Sequence, residues 1–305
     1  GRALLLEAIP SKAHSIVDAG ERLGLRRAQT VFSHPIHYGV FSAAGLGFAW
    51  YVVRPRSGFP ARVLRSATIG LATFFSLSTG ALIAYVMQGV FIVWERALHG
   101  VRSRWAIFGW GAVAGYLAVD LLSNRTPFHV LVDYASFRTG SAYNRILIWI
   151  HGTDNVAARP FFGLGIEIES WTRPAWMSPS MDNFWLLIAV KYGVPAMLAL
   201  VLAILLAVRR VARAELAGDE ERACRAGYLT MIGGLVIAGG TVHFWSAMMA
   251  LVVFLFATGI WMAETSSARD DAAARPGPGR RASSTSQRRR AGRRGVSETL
   301  PGGRV

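Results

Sequence analysis

Long stretches almost free of charge constrain this chain more than any other feature of its sequence. Residues 36–53, 105–122, 184–208 and 227–262 each contain at most one Asp, Glu, Lys or Arg. A helix needs roughly 18 to 20 apolar residues to cross a lipid bilayer, and a soluble domain rarely contains several such stretches. Since 52% of the 305 residues are hydrophobic and only 17% are charged, the sequence predicts an all-α polytopic membrane protein.

The basic residues are grouped in short segments between the apolar stretches. The formal charge of +15 comes from 33 basic and 18 acidic side chains, and by itself would suit a nucleic-acid partner. No basic helix interleaved with aromatic residues accompanies this charge, so we expect no nucleic-acid partner. Short basic loops are typical of the cytoplasmic side of a membrane protein, and we place residues 54–65, 96–104 and 209–213 there.

The positions of these loops define the path of the chain across the bilayer. An even number of crossings must separate successive cytoplasmic loops, so residues 63–94 are expected to form a hairpin that turns outside near residues 76–80. The run 227–262 is also long enough for two crossings, and Gly239, Gly240 and His243 suit a break at its middle. The sequence therefore predicts about seven transmembrane helices and one long external loop.

Five segments follow from this path. They are an external juxtamembrane segment (1–35), transmembrane helices 1–4 (36–122), the long external loop (123–183), transmembrane helices 5–7 (184–262) and a disordered, basic cytoplasmic tail (263–305).

The external loop contains most of the polar residues of chemical interest. Residues 141–156 are typical of an amphipathic helix, with Arg145 and Trp149 one turn apart on the same face. A planar, permanently charged guanidinium suits a diphosphate at the membrane surface, although an interfacial arginine that snorkels to water has the same pattern. Trp171, Trp176 and Trp185 suit the membrane interface.

A second basic position precedes the first span. Arg27 is external and so departs from the excess of basic residues in cytoplasmic loops, but an ordinary juxtamembrane arginine has the same position. His34 and His37 have the spacing of a metal pair, yet Pro35 lies between them and no further ligand has suitable spacing. With Cys224 as the single cysteine, the sequence predicts neither a metal site nor a cofactor.

Asp182 stands where the external loop enters the next span. An aspartate there is an ordinary helix N-cap, worth about 1 kcal/mol. The alternative is a general base, which requires a pKa raised towards the working pH by partial burial. Residue type alone favours the cap and leaves the base open.

The order and spacing of these segments resemble the family of O-antigen ligases and O-antigen polymerases. That family has an Arg eight residues before a Pro ahead of a span, then an Arg and a Trp in the external loop, followed by Pro and a Gly-x-Gly turn. It opens the next span with a polar residue and Asn, followed by a Gly. The matching positions here are Arg27, Phe32 and Pro35; Arg145, Trp149, Pro160, Gly163 and Gly165; and Asp182, Asn183 and Gly193.

The resemblance implies an enzyme of the bacterial inner membrane that acts at the periplasmic face, without a metal, on undecaprenyl-diphosphate-linked glycans. Arg145 would stabilise the leaving diphosphate and Asp182 would accept the proton of the attacking hydroxyl, so these two are the candidate catalytic residues. The implied partners are the lipid-linked donor, a glycan or lipid acceptor, the bilayer and a chain-length regulator protein. The implied substrate-binding residues are Arg27, Arg145, Trp149, His34 and Asn183.

Two positions depart from the family pattern. Ligases commonly have His in place of Asp182, which favours a polymerase-like member, and the family often has Arg after the Ser of the outer turn, where this chain has Thr79. Members usually have several further spans before this region, so we expect additional spans to precede Gly1.

The function predicted from these features is that of a membrane glycosyltransferase that polymerises or ligates lipid-linked oligosaccharides in O-antigen or exopolysaccharide assembly. The alternative is a transporter or flippase of lipid-linked sugars. Transport favours ionisable residues in mid-span and paired repeats with broken helices. Here the spans are nearly free of charge and the polar residues lie in one outer loop.

Overall fold

A computed structural model describes residues 20–124 and 139–264, and within these ranges the regular secondary structure is helical apart from one small antiparallel hairpin, β1 (Glu21–Arg22) and β2 (Leu25–Arg26). The all-α prediction is thus confirmed. The remaining parts of the predicted external segment, external loop and basic tail lie outside the described residues. The helices are α1 (Pro35–Tyr51), α2 (Phe59–Phe75), α3 (Thr79–Ala97), α4 (Arg104–Leu122), α5 (Thr139–Ala158), a 3₁₀-helix (Gly165–Ser170), α6 (Phe184–Tyr192), α7 (Val194–Arg213), α8 (Asp219–Gly239) and α9 (Ala247–Ala257).

Helix α1 lies at the centre of the main helical cluster, where it packs against α2, α3 and α8, and α8 also packs against α3. Small side chains let helix backbones approach closely, which is how helices associate in lipid, where water supplies no hydrophobic drive between them. The buried small residues of this core are Ala43, Ala44, Ala81, Ala84 and Ala238.

Gln88 is a polar residue buried between α1 and α3. Its Nε2 donates to the carbonyl oxygen of Ala43 at 2.8 Å, and its Oε1 accepts from the amide of Gly47 at 3.3 Å. A buried amide without partners would cost several kcal/mol in an apolar environment. With its partners in place, Gln88 joins the two helices.

The basic loops adjoin one end of the helical cluster. The Tyr51 hydroxyl donates to Glu95, Arg96 lies 5.9 Å from the ring centroid of Trp50, and Gly227 packs against Val52. These contacts bring together the ends of α1 and α3 and the first turns of α8. The start of α1, the α2–α3 turn and the α8–α9 turn form the opposite end, as the predicted path requires.

Three helical segments of the described chain are long and apolar enough to cross a membrane, namely Arg104–Leu122, Val194–Arg213 and Ala247–Glu264. The predicted hairpin turn near residues 76–80 and the predicted break after Gly239 are both confirmed, because α2 ends at Phe75, α3 begins at Thr79 and α8 ends at Gly239. The total of seven spans stays a prediction.

The prediction of one continuous span over residues 184–208 is wrong. The chain forms α6 and α7, separated at Gly193, whose φ of +87° is left-handed and ends the first helix. With 9 residues, α6 is too short to cross a bilayer at about 1.5 Å per residue. The apolar length of this run is therefore divided between α7, long enough to cross, and a short helix that packs against α5.

Candidate active site

The turn between α2 and α3 holds two arginines from the segment before α1. Ser76, Leu77 and Ser78 are buried, and the carbonyl oxygens of Ser76 and Leu77 accept hydrogen bonds from this segment. Arg27 Nε donates to Ser76 O at 2.9 Å and Arg22 Nη1 donates to Leu77 O at 2.9 Å. The Arg27 Nη2 atom is buried and has no hydrogen-bond partner within the described residues. One nitrogen of the Arg27 guanidinium is thus anchored to the α2–α3 turn.

Arg145 and Asp182 join these arginines in one electrostatic cluster. The pKa of Arg27 is lowered to about 10, chiefly by burial and then by the charge of Arg22, while the Asp182 carboxylate raises it. The pKa of Arg145 is also lowered, chiefly by burial, with Asp182 raising it and Arg22 lowering it. Asp182 and Arg22 therefore both lie within electrostatic range of Arg27 and of Arg145. The four groups together carry a net positive charge, so the cluster suits an anionic ligand.

The structure therefore brings together Arg27, Arg145 and Asp182, which the sequence predicted as site residues, from three distant parts of the chain. It adds Arg22, which the sequence analysis missed. The sequence does contain a second external arginine, five residues before Arg27, which could have indicated a further site residue. Nothing in the sequence shows that Arg22 and Arg27 reach the same turn.

His34 lies beside this cluster and caps α1. Its Nδ1 accepts from the amide of Ile36 at 3.1 Å, which assigns the proton of the neutral ring to Nε2. The pKa of His34 is lowered, chiefly by burial and then by the charge of Arg27, and Asp182 raises it. His34 therefore remains neutral near pH 7 and keeps the cap.

Trp245 is the centre of an aromatic group that the sequence analysis missed. Its ring centroid lies 3.8 Å from that of His37 and 5.5 Å from those of His34 and His243. His34 and His37, whose sequence spacing is that of a metal-binding pair, have ring centroids 6.4 Å apart. Among residues 20–124 and 139–264, no group of three or more His, Cys, Asp or Glu side chains is arranged to hold a metal ion.

Helix α5 carries Arg145 and Trp149 and is held against the rest of the loop by Ile148 and Asn155. The predicted helix is confirmed and is slightly longer than residues 141–156. Ile148 is buried, whereas the Trp149 side chain is 41% exposed. Asn155 Nδ2 donates to His151 O at 2.7 Å and to Thr172 O at 3.0 Å, and its Oδ1 accepts from Thr172 N at 2.9 Å. Asn155 thus holds the later part of the loop against the helix that carries Arg145.

Trp171 organises the segment that leads to Asp182. Its side chain is 2% exposed, and its Nε1 donates to Pro179 O at 3.0 Å. The prediction that Trp171 lies at the membrane interface is therefore wrong, because the ring is packed inside the loop against Ile148 and Met181. Trp176 is exposed, as an interfacial residue would be.

Asp182 and Asn183 have separate roles. The N-cap of α6 is Asn183, whose Oδ1 accepts from the amide of Leu186 at 3.1 Å. The interpretation of Asp182 as the cap is therefore wrong. The carboxylate instead accepts from Ser180 Oγ at 3.0 Å. Substrate binding by Asn183 stays a prediction, and it would fall to Nδ2, since Oδ1 is engaged in capping.

A backbone clamp joins the Gly-x-Gly turn to the α6–α7 junction. Leu164 N donates to Val190 O at 2.8 Å and Val194 N donates to Pro160 O at 2.7 Å. Gly163 and Gly193 both have positive φ, and a Cβ atom on either would lie within 2.4 Å of a carbonyl oxygen of the facing segment. Glycine is therefore required on both sides. The Gly-x-Gly turn predicted from the sequence is confirmed, and it also fixes the loop to the membrane helix.

Helices long and apolar enough to cross a membrane, with the arginine cluster at the end of the helical core opposite the basic loops, indicate an integral membrane protein. Residues 64–201 match the family model described as O-Antigen ligase, and no curated protein matches the chain. The resemblance to the O-antigen ligase and polymerase family is thereby confirmed for the segment from α2 to α7. The match contains Arg145 and Asp182 and supports a membrane enzyme of polysaccharide assembly.

Proposed function

We propose that this chain is a glycosyltransferase that transfers undecaprenyl-diphosphate-linked oligosaccharides at the periplasmic face of the bacterial inner membrane. The observation that carries the proposal is the cluster of Arg22, Arg27 and Arg145 around Asp182. A lipid diphosphate is the anion that a membrane enzyme of polysaccharide assembly has to bind, and arginine matches its planar, bidentate recognition.

The partly buried guanidinium groups supply the electrostatic part of the reaction. Charge removed from water is costly unless it is paired, and the Nη2 atom of Arg27 has no partner within the described residues. A diphosphate oxygen beside it would satisfy this donor. Because negative charge on the diphosphate grows as the glycosidic bond breaks, fixed donors there stabilise the transition state more than the ground state.

Asp182 supplies the proton acceptor. A hydroxyl oxygen of the acceptor sugar attacks the anomeric carbon of the donor and forms the new C–O bond. The bond from that carbon to the diphosphate oxygen breaks, and its electron pair leaves with the diphosphate. The hydroxyl proton passes to the Asp182 carboxylate, which the Ser180 hydroxyl orients. Ligases commonly have His at this position, so the carboxylate supports a polymerase-like enzyme of O-antigen or exopolysaccharide assembly.

Arg145 offers the clearest test of the donor site. Arg145→Ala should abolish transfer, and Arg145→Lys should recover little, since a point charge cannot reproduce the two parallel hydrogen bonds of a guanidinium. Arg159→Ala is the matched control, because Arg159 is an exposed arginine at the end of the same helix. Each variant is expressed in a deletion strain, and surface polysaccharide is separated on a gel at equal protein level.

The same variants are then purified in nanodiscs and given lipid-linked oligosaccharide. The wild-type protein should release undecaprenyl diphosphate as chains grow, which a transporter of the same lipid would not do. On the gel of surface polysaccharide, a deletion strain that loses the long-chain ladder but retains one repeat unit identifies a polymerase. A deletion strain that loses all repeat units identifies a ligase. Wild-type chain length in Arg145→Ala would refute the donor site.

A further inference from the structure

A cavity of about 360 Å³ lies between the external loop and the α8–α9 turn. It is distinct from the arginine cluster, and no residue predicted from the sequence as a site residue lines it. Its size is at the lower end of the range for small-molecule sites, roughly 300–1,000 Å³. Its lining includes Glu169, Trp171, Pro179, Ser180, Leu187 and His243.

The lining has two chemical sides. Ile168, Pro179 and Leu187 provide apolar surface, while Glu169, Ser180 and His243 contribute a carboxylate, a hydroxyl and an imidazole to the lining residues. A sugar ring has the same division, with C–H groups on its faces and hydroxyl groups around its edge. A hydroxyl can donate to a carboxylate and accept from a side-chain O–H or N–H, so these groups match the edge of a neutral sugar.

The position of the cavity relates it to Asp182. Ser180 lines the cavity, and its hydroxyl donates to Asp182 Oδ1 at 3.0 Å. Asp182 also acts on His243, whose pKa is lowered chiefly by burial while the Asp182 carboxylate raises it. Asp182 also acts on Arg27 and Arg145. The carboxylate is therefore hydrogen-bonded to the cavity wall through Ser180 and lies within electrostatic range of the arginine cluster.

We infer that this cavity is the acceptor subsite and binds the terminal ring of a neutral oligosaccharide, with one hydroxyl presented to Asp182. The inference rests on the proposed function, because it assigns the second substrate of the same reaction. Among the described residues, the lining contains the Glu169 carboxylate and no Lys or Arg, so a neutral sugar suits the cavity better than a diphosphate does.

Glu169 and Glu167 provide a matched pair for the test. Both are exposed carboxylates of the same 3₁₀-helix, and Glu169 alone of the two lines the cavity. Repeat-unit oligosaccharide is released from its lipid by mild acid, so that it carries neither diphosphate nor tail. Its binding to the protein in nanodiscs is measured by saturation-transfer NMR and by titration.

Glu169→Leu should weaken oligosaccharide binding at least 10-fold, while Glu169→Gln and Glu167→Leu stay within about 2-fold of wild type. His243→Gln provides a second position if Glu169→Leu unfolds, and it should weaken binding in the same direction. In the transfer assay, Glu169→Leu should raise KM for the acceptor and leave KM for the lipid-linked donor unchanged. The Arg145→Ala protein should no longer bind the lipid-linked donor but should still bind the free oligosaccharide.

Equal oligosaccharide affinity for Glu169→Leu and Glu167→Leu, with wild-type transfer intact, would overturn the acceptor subsite and leave the proposed function standing. Oligosaccharide binding that depends on Glu169 in a protein that transfers nothing would refute the glycosyltransferase and show a sugar site without that reaction. Absence of binding by the wild-type protein would also overturn the subsite.

Discussion

Asp182→Asn separates proton transfer from helix capping, because the structure assigns these functions to neighbouring residues. Asn183 caps α6, and Asp182 accepts a hydrogen bond from Ser180 Oγ at 3.0 Å. An amide oxygen at position 182 can accept the same bond, and no cap is lost. The stability of the protein should therefore change by no more than about 1 kcal/mol, which is the range for partly exposed charge pairs.

The expected loss of activity is much larger. An amide cannot take up the hydroxyl proton, and a positioned general base contributes roughly 100- to 10,000-fold to the rate. A loss of at least ~100-fold corresponds to about 2.7 kcal/mol of activation free energy. The donor should still bind, since removal of a negative charge makes the arginine cluster more positive. Asp182→His should restore part of the rate, because imidazole is again a proton acceptor.

The measurement combines single-turnover transfer in nanodiscs with thermal unfolding of the same samples. Asn183→Ala serves as the stability control and should lower the free energy of unfolding by about 1 kcal/mol, because it removes the true cap. Near-normal transfer rate and polymer length for Asp182→Asn at matched expression would refute the role of Asp182 as base and return the carboxylate to a purely structural contact with Ser180.

Three further predictions concern topology, loop order and pH. Cys224, in the second turn of α8, should be cytoplasmic and should not react with a membrane-impermeant maleimide in spheroplasts. A cysteine introduced in place of Ser170 should react. The reverse labelling would show that the predicted topology is inverted. Asn155→Ala should cost about 1–3 kcal/mol and speed proteolysis of the loop, since it leaves Thr172 without its side-chain partner; unchanged cleavage would contradict this. The pKa of His34 is lowered in the folded protein, so its contribution to stability is present above pH 6.5 and is lost as pH falls. His34→Asn, which caps the helix without titrating, should therefore make the melting temperature less dependent on pH below 6.5. Identical melting profiles for the two proteins would contradict this prediction.

The sequence predicted those features that local chemistry determines. A turn near residues 76–80 is set by polar residues within an apolar run, and the α5 helix is set by its periodicity. Asp182 and Asn183 are both good N-caps, so the choice between them depends on how the loop packs, which residue type does not specify. The contact of Arg22 with Leu77 joins residues 55 positions apart, and no local pattern indicates it.

The break at Gly193 had a local signal that the apolar length of the run obscured. Gly193 is followed by Pro195, and glycine after one helix with proline in the first turn of the next is the usual pattern at a junction. Hydropathy averages over such a pair, because the residues on both sides are equally apolar. The left-handed backbone at Gly193 ends α6. The carbonyl groups of the facing loop leave no room for a side chain at this position, so glycine is required there.

The clamp between residues 160–164 and 190–194 determines what can be exchanged among relatives of this protein. A chimera cut at the natural end of the external loop, near residue 183, would leave Gly163 and Gly193 to meet foreign partners. A single methyl group on either side would collide with backbone there. Recombination should therefore succeed with relatives that have glycine at both positions, and with others only when residues 139–213 move as one block. The loop and the helix that it enters form one unit of exchange in such chimeras.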